Sequence, residues 1–99
     1  MMETIKMERK GYGYEPDNPV KAMNVFESYD YMHSLKAKEG VVVKWIRAGS
    51  LYSKITGHMI DEYYIFVLST KSPVRIQRFS IFIDMYQTTT DRKKPEDFE

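Results

Sequence analysis

Two histidines are the side chains of this chain that could exchange a proton near neutral pH, because the sequence contains no cysteine. His33 follows Glu27 and Asp30 at three-residue spacing, which places the three side chains on one face of a helix. Helix bundles build metal sites at this spacing, but they take matching ligands from a facing helix. The sequence predicts a single helix, so we expect a solvated helix face here and no metal site.

His58 is the better candidate for catalysis, since Asp61 and Glu62 follow it closely in the sequence. A carboxylate can orient a histidine so that its ring acts as a general base. A nucleophile is not indicated, because the sequence contains neither a Gly-x-Ser-x-Gly elbow nor a Ser-x-x-Lys motif. We therefore assign no catalytic residue, and a minimal enzyme with His58 as its base remains an alternative hypothesis.

Cofactor motifs are also absent from the sequence. Without cysteine the chain cannot form a disulfide framework, an iron–sulfur site or a thiolate zinc site. The Gly-Tyr-Gly segment at 11–13 is followed by Tyr-Glu-Pro, and not by the helix with lysine and serine or threonine that a phosphate-binding loop requires. We expect no cofactor.

The elements that would hold these residues begin with an N-terminal arm. Residues 1–18 are rich in turn formers, although Thr4 to Arg9 alternates apolar and charged side chains and can form an edge strand. At the other end, residues 88–99 are polar and lack apolar periodicity, so we predict a flexible C-terminal tail. The α+β domain itself should therefore span 19–87.

One helix is predicted after the arm, and two starts compete for it. Asn18 can cap a helix with Pro19 at its first position, or Asn24 can cap it with Glu27 completing a capping box. In both cases residues 25–37 are helical. An apolar stripe at three- and four-residue spacing consists of Val25, Tyr29, Met32 and Leu35, with Phe26 alongside.

Gly40 is the predicted C-terminal cap of the helix, and three strands follow it. They are rich in β-branched and aromatic residues and span 41–48, 62–68 and 75–86. The strand at 62–68 is apolar on both faces, so we place it in the centre of the sheet. Residues 49–60 are predicted to form a long loop, in which Tyr52 to Ile55 can form a short extra strand. The fold class is therefore α+β, with one helix packed on a three- to four-stranded antiparallel meander sheet.

A single helix covers only one face of this sheet. Val41, Val43 and Trp45 make the better inward set, because the alternative would bury Lys44. The opposite face then carries more apolar and aromatic side chains than a monomer usually leaves in water, so the arm, a second copy or another protein has to cover it. The candidate interaction surface consists of Val42, Lys44, Ile46, Arg78, Phe82 and Tyr86, together with Tyr52 and His58 from the loop.

These observations predict a small non-enzymatic interaction or regulatory module that binds a protein partner or itself, as a homodimer, through an apolar and aromatic sheet face. A nucleic-acid-binding domain is the alternative, with Trp45, Tyr52 or Phe82 as stacking platforms on a basic sheet face. The basic residues of that face would be Lys44, Arg47, Lys54, Lys71, Arg75 and Arg78. A net charge of +1 at pH 7 weakens this alternative.

The sequence contains no apolar segment of signal-peptide or membrane-span length. We therefore expect a cytoplasmic protein without a membrane partner. A leader that had been removed would leave no trace in this sequence.

Overall fold

The computed structural model describes residues 4–37, 41–69 and 74–99. Within those ranges the elements, numbered in chain order, are β1 (Thr4–Lys6), β2 (Val20–Lys21), α1 (Val25–Ser34), β3 (Val41–Ser53), β4 (His58–Ser69) and β5 (Arg75–Asp84). The predicted α+β class, with one helix on a largely antiparallel meander, is confirmed. No helix in these ranges is long and apolar enough to cross a membrane.

The strands form one mixed sheet in the order β1-β5-β4-β3. The pairs β3–β4 and β4–β5 are antiparallel, as the predicted meander requires. On its other edge β5 pairs in parallel with both N-terminal strands, with β1 beside residues 76–78 and β2 beside residues 83–84. The N-terminal segment therefore extends the sheet along β5, and β3 lies at the opposite end of the strand order.

Helix α1 begins at Val25 because Asn24 caps it. The side-chain oxygen of Asn24 accepts a hydrogen bond from the Glu27 N–H at 2.9 Å, as expected for an N-cap residue. The alternative start at Pro19 is wrong, because the residues that follow it are extended and pair with β5 as strand β2.

The helix ends at Ser34, earlier than its periodicity predicts. Leu35 adopts an extended conformation and buries its side chain in the core, so the helical path stops there. Gly40, the predicted cap, lies outside the described residues. Phe26, which the sequence places beside the apolar stripe, is 75% exposed, while Met32 on the stripe is buried.

The core lies between α1 and one face of the sheet, which we call the inner face. Its central members are Tyr31, Met32 and Leu35 from the helical segment and Tyr63, Ile65, Phe79, Ile81 and Ile83 from the strands. Val43 and Trp45 pack against this core as predicted, with the Trp45 ring edge-on to Tyr63 at 5.6 Å between centroids. Each fully buried side chain of this size contributes about 1.5–3 kcal/mol.

The long loop predicted at 49–60 is wrong. Strand β3 continues to Ser53 and β4 begins at His58, so only residues 54–57 connect them. The register shifts between Arg47 and Gly49, which is a β-bulge that lets the strand continue. Gly57 turns the chain in a left-handed conformation with φ 79°, and its N–H donates to the Ser53 carbonyl at 2.9 Å.

Residues 88–99 lie against the body of the domain on the helix side of the sheet. The Asp91 N–H donates to the Lys21 carbonyl at 2.8 Å, and the Tyr31 hydroxyl donates to the Lys93 carbonyl at 2.6 Å. The Phe98 ring packs against the core. Flexibility of this segment stays a prediction from composition, and these contacts favour a docked segment instead.

Candidate interaction surface

The face of the sheet opposite α1, which we call the outer face, is organised by the register of the strands. Residues paired across neighbouring strands point to the same side of a sheet. Lys44 pairs with Phe66, Phe66 with Arg78, and Arg78 with Lys6, so one row crosses four strands on the outer face. Three cations and one aromatic ring therefore lie in line, perpendicular to the strands.

The N-terminal arm covers one end of the outer face. The Phe82 N–H donates to the Gly13 carbonyl at 2.8 Å, and Pro16 lines the same cleft as Phe82. Farther along, the Ser53 hydroxyl lies 3.4 Å from a carboxylate oxygen of Asp17, and Ser53 is buried. Phe82, which the sequence analysis places on the uncovered surface, is consequently only 9% exposed.

The rest of the outer face carries no helix or strand above it among the described residues. We call this part the open face, and it consists of Val42, Lys44, Ile46, Tyr64, Phe66, Leu68, Ile76 and Arg78. Val42 is 40% exposed and Ile46 is 55% exposed, while the side chains on the central strand β4 are half-buried by their neighbours. Apolar and aromatic surface is thus open to solvent in one continuous patch.

The charges on the open face are of one sign. Lys44 and Arg78 belong to it, and the Arg78 guanidinium lies over the Tyr64 ring at 4.6 Å from the centroid. One carboxylate, Glu62, lies at the boundary of the open face, where it lines a small pocket with Lys6, Tyr64 and Arg78 and accepts a hydrogen bond from the Ser80 hydroxyl at 2.6 Å. The open face itself therefore presents positive charge beside aromatic rings.

His58 lies at the covered end, and its carboxylate partner is not the predicted one. Its Nε2 is 2.7 Å from Oδ1 of Asp84. Asp61 points to the inner face because side chains alternate along β4. Glu62 shares the side of His58 but lies four residues away, about 13 Å along the strand. Pairing of His58 with Asp61 or Glu62 is therefore wrong.

The surroundings of His58 form an open pocket of about 400 Å³ lined by Tyr52, His58, Met59 and Tyr86. The His58 ring lies edge-on to the Tyr86 ring at 5.4 Å. In the part of the chain that the structure describes, no group of three histidine, aspartate or glutamate side chains could hold a metal ion. His33, the other histidine, is exposed on α1 with its ring edge-on to Trp45 at 5.0 Å.

Arg47 was grouped with the basic sheet face, but it lies on the inner side of the sheet. Its guanidinium donates to Asp61 Oδ1 at 3.0 Å, and this hydrogen bond raises the pKa of Arg47. The other Asp61 oxygen and the Tyr63 hydroxyl are buried without a hydrogen-bond partner among the described residues. Burial raises the pKa of Tyr63 to about 12. Lys71 lies outside the described residues.

The structure brings together four of the predicted surface residues, namely Val42, Lys44, Ile46 and Arg78. Tyr52, His58 and Tyr86 gather around the separate pocket at the far end. The sequence analysis did not name Tyr64 and Phe66. The signal for them was the strand at 62–68, which is apolar on both faces and therefore places aromatic side chains on the outer face as well. Trp45, a predicted stacking platform, packs on the inner face instead.

Comparison with known protein families, with curated proteins and with solved structures finds no match to this chain. Its function is therefore inferred from the geometry of the open face and of the strand edges.

Proposed function

We propose that the protein is a non-enzymatic binding module that self-associates through strand β3 and binds a partner on its open face. The observation that carries the proposal is the uncovered part of the outer face, where Ile46 and Val42 remain exposed beside aromatic rings. Contiguous apolar surface of this kind usually marks an interaction site. The described part of the arm covers only the end that contains Phe82, and we assign the remainder to another occupant.

Strand β3 supports self-association because it is long and has an unpaired edge. It spans 13 residues without a proline, and β4 is its one partner strand in the described ranges. An exposed edge strand offers a row of N–H and C=O groups to a second chain. Its two charged residues, Lys44 and Arg47, give it limited protection against such pairing.

A second copy can pair with this edge in a register that opposes no like charges. Antiparallel pairing around a two-fold axis at Ile46 would place the two Ile46 side chains opposite each other. Lys44 would then face Ala48 of the second copy, and Arg47 would face Trp45, so that no like charges are directly opposed. The open faces of both copies would adjoin across the axis and form one larger surface.

Light scattering and sedimentation at micromolar concentration test the self-association. We expect a dimer for the wild type and a folded monomer for Ile46→Glu, because two opposed carboxylates would destabilise the shared edge. Ile55→Glu is the matched control, since Ile55 is 72% exposed in the turn away from the pairing region. A wild type that stays monomeric up to hundreds of micromolar would refute this part of the proposal.

A further inference from the structure

We propose that the partner of the open face is a single-stranded nucleic acid, RNA or DNA. This inference rests on the proposed binding function of the open face and names the chemistry of the ligand. It is carried by the row that runs from Lys44 through Phe66 and Arg78 to Lys6. A sugar–phosphate chain with unstacked bases is the anionic polymer that uses cations and aromatic rings side by side.

The row has the dimensions of a short stretch of nucleic acid. Three strand spacings of about 4.8 Å separate Lys44 from Lys6, which gives a width of about 14 Å. Both lysines are exposed, and Arg78 lies between them on β5. These cations can therefore contact successive phosphates of a chain that crosses the strands.

Aromatic rings occupy the positions at which bases would stack. Tyr64 and Phe66 alternate along β4, so their side chains lie on the same face about 6.6 Å apart. Phe66 has a cation on either side in its row, with Lys44 on β3 and Arg78 on β5. Sheet aromatics on a central strand with cations around them are a recurrent platform for two or three unpaired bases.

The contact between Arg78 and Tyr64 suits this role. The guanidinium already lies over the ring at 4.6 Å, and a planar guanidinium can itself stack on a base or turn to a phosphate. Arg78 is thereby held in place on the open face before a ligand arrives. Its position links the row of cations to the neighbouring row that contains Tyr64.

Two other occupants fit the open face less well. A second copy stacked face to face would oppose Lys44, Arg78 and Lys6 with cations of the same kind, which is unfavourable. An acidic protein segment would satisfy the charges, but the half-buried rings of Tyr64 and Phe66 beside them are better matched by bases, each of which has a π-face. Edge pairing through β3 leaves the open face accessible and is compatible with nucleic acid.

Fluorescence anisotropy with labelled oligonucleotides of ten uridines and of ten thymidines tests the inference on the wild-type chain. Both should bind more tightly than a duplex of the same length. The ratio of the affinities for the uridine and thymidine oligonucleotides shows whether RNA or DNA is the preferred ligand. If the protein neutralises about three phosphates, a plot of the logarithm of the binding constant against the logarithm of the salt concentration should have a slope of about −2. A slope near zero, or equal affinity for the duplex, would overturn the proposal.

The variants isolate the row from general electrostatics. Lys44→Gln and Lys6→Gln change exposed side chains and should each weaken binding roughly 3- to 10-fold, with a shallower salt slope. Lys54→Gln is the matched control, because Lys54 is exposed in the turn beyond β3, and it should bind like the wild type. Equal losses for Lys54→Gln and Lys44→Gln would refute a site on the open face.

Phe66→Leu tests stacking while it keeps an apolar side chain on β4. It should weaken oligonucleotide binding roughly 5- to 100-fold at unchanged salt slope. Circular dichroism shows whether the variant folds. If it does not fold, the two lysine variants test whether the oligonucleotide binds at the open face. Binding of polyglutamate at the same residues, without binding of either oligonucleotide, would overturn the nucleic-acid assignment and leave the proposed binding face standing. A monomeric chain that binds the oligonucleotide would instead refute only the self-association.

Discussion

Asp84 lies buried beneath the half-exposed ring of His58, with 2.7 Å between its Oδ1 and the imidazole Nε2. The same carboxylate accepts hydrogen bonds from the Tyr86 N–H at 3.1 Å and from the Gln87 side-chain amide at 2.8 Å. It therefore joins the end of β5 to the residues that follow it. Asp84 therefore has a structural role, because its carboxylate holds a backbone N–H and two side chains around it.

Asp84→Ala should lower the free energy of unfolding by about 1–3 kcal/mol, since it leaves buried polar groups without their acceptor. Asp30→Ala is the matched control, because Asp30 is exposed on α1, and it should change the stability by no more than about 0.5 kcal/mol. Urea denaturation of the three proteins measures both values. Equal midpoints for the two variants would show that the Asp84 contacts contribute nothing.

Leu35→Ala should destabilise the domain by about 2–4 kcal/mol, because the side chain is buried in the core and its removal leaves a cavity. Phe26→Ala removes a larger apolar side chain that is exposed, so it should cost no more than about 0.5 kcal/mol. Denaturant midpoints that rank the two variants the other way round would contradict the observed orientation of α1.

Deletion of residues 91–99 should lower the thermal midpoint, although the composition of this segment predicts no effect. The truncated chain loses the hydrogen bonds from Tyr12 to Asp91 at 2.7 Å and from Tyr31 to Lys93 at 2.6 Å, together with the Phe98 contact to Phe79. A loss of about 2 kcal/mol corresponds to a midpoint lower by about 8–16 °C. Calorimetry is the measurement, and an unchanged midpoint would show that the tail is flexible.

Alkaline pH should loosen the C-terminal segment through its tyrosine contacts. The Tyr14 hydroxyl donates to the Glu96 carbonyl in this segment. Burial raises the pKa of Tyr14 to about 12, and burial also raises the pKa values of Tyr12 and Tyr31. A tyrosine whose pKa is raised by folding contributes stability that is present below its unfolded pKa of about 10. That contribution is lost as the pH rises through about 12, because the folded state then has to release the proton as well.

Denaturant unfolding at about pH 9 and about pH 11 measures this loss. The midpoint should fall between the two pH values, and the fall should be smaller in Tyr14→Phe, which has no hydroxyl to titrate. The control is Tyr52→Phe, because Tyr52 is exposed. An identical fall in the wild type and in Tyr14→Phe would mean that Tyr14 does not carry the effect.

Elements defined by local pattern are those that the sequence predicts well. The apolar stripe locates the body of α1, because helix formation depends on neighbours three or four residues apart. The capping signals left its start open between Pro19 and Val25, and the structure begins it at Val25. Richness in β-branched and aromatic residues likewise locates the central parts of the three long strands. The prediction of a loop at 49–60 was wrong because of the β-bulge between Arg47 and Gly49. The strand continues past the bulge, although the sequence shows no continuous periodic pattern across it.

The sequence by itself thus determined the presence of the helix, the order of the three long strands and the outward orientation of Val42, Lys44, Ile46 and Arg78. Only the tertiary structure decided which of these remain open. Parallel pairing of β1 with β5 joins opposite ends of the chain, and it brings Lys6 beside Arg78 in the row with Phe66 and Lys44. The arm that buries Phe82 depends on the same long-range pairing. Such contacts depend on the global balance of burial and loop-closure entropy, which local periodicity does not encode.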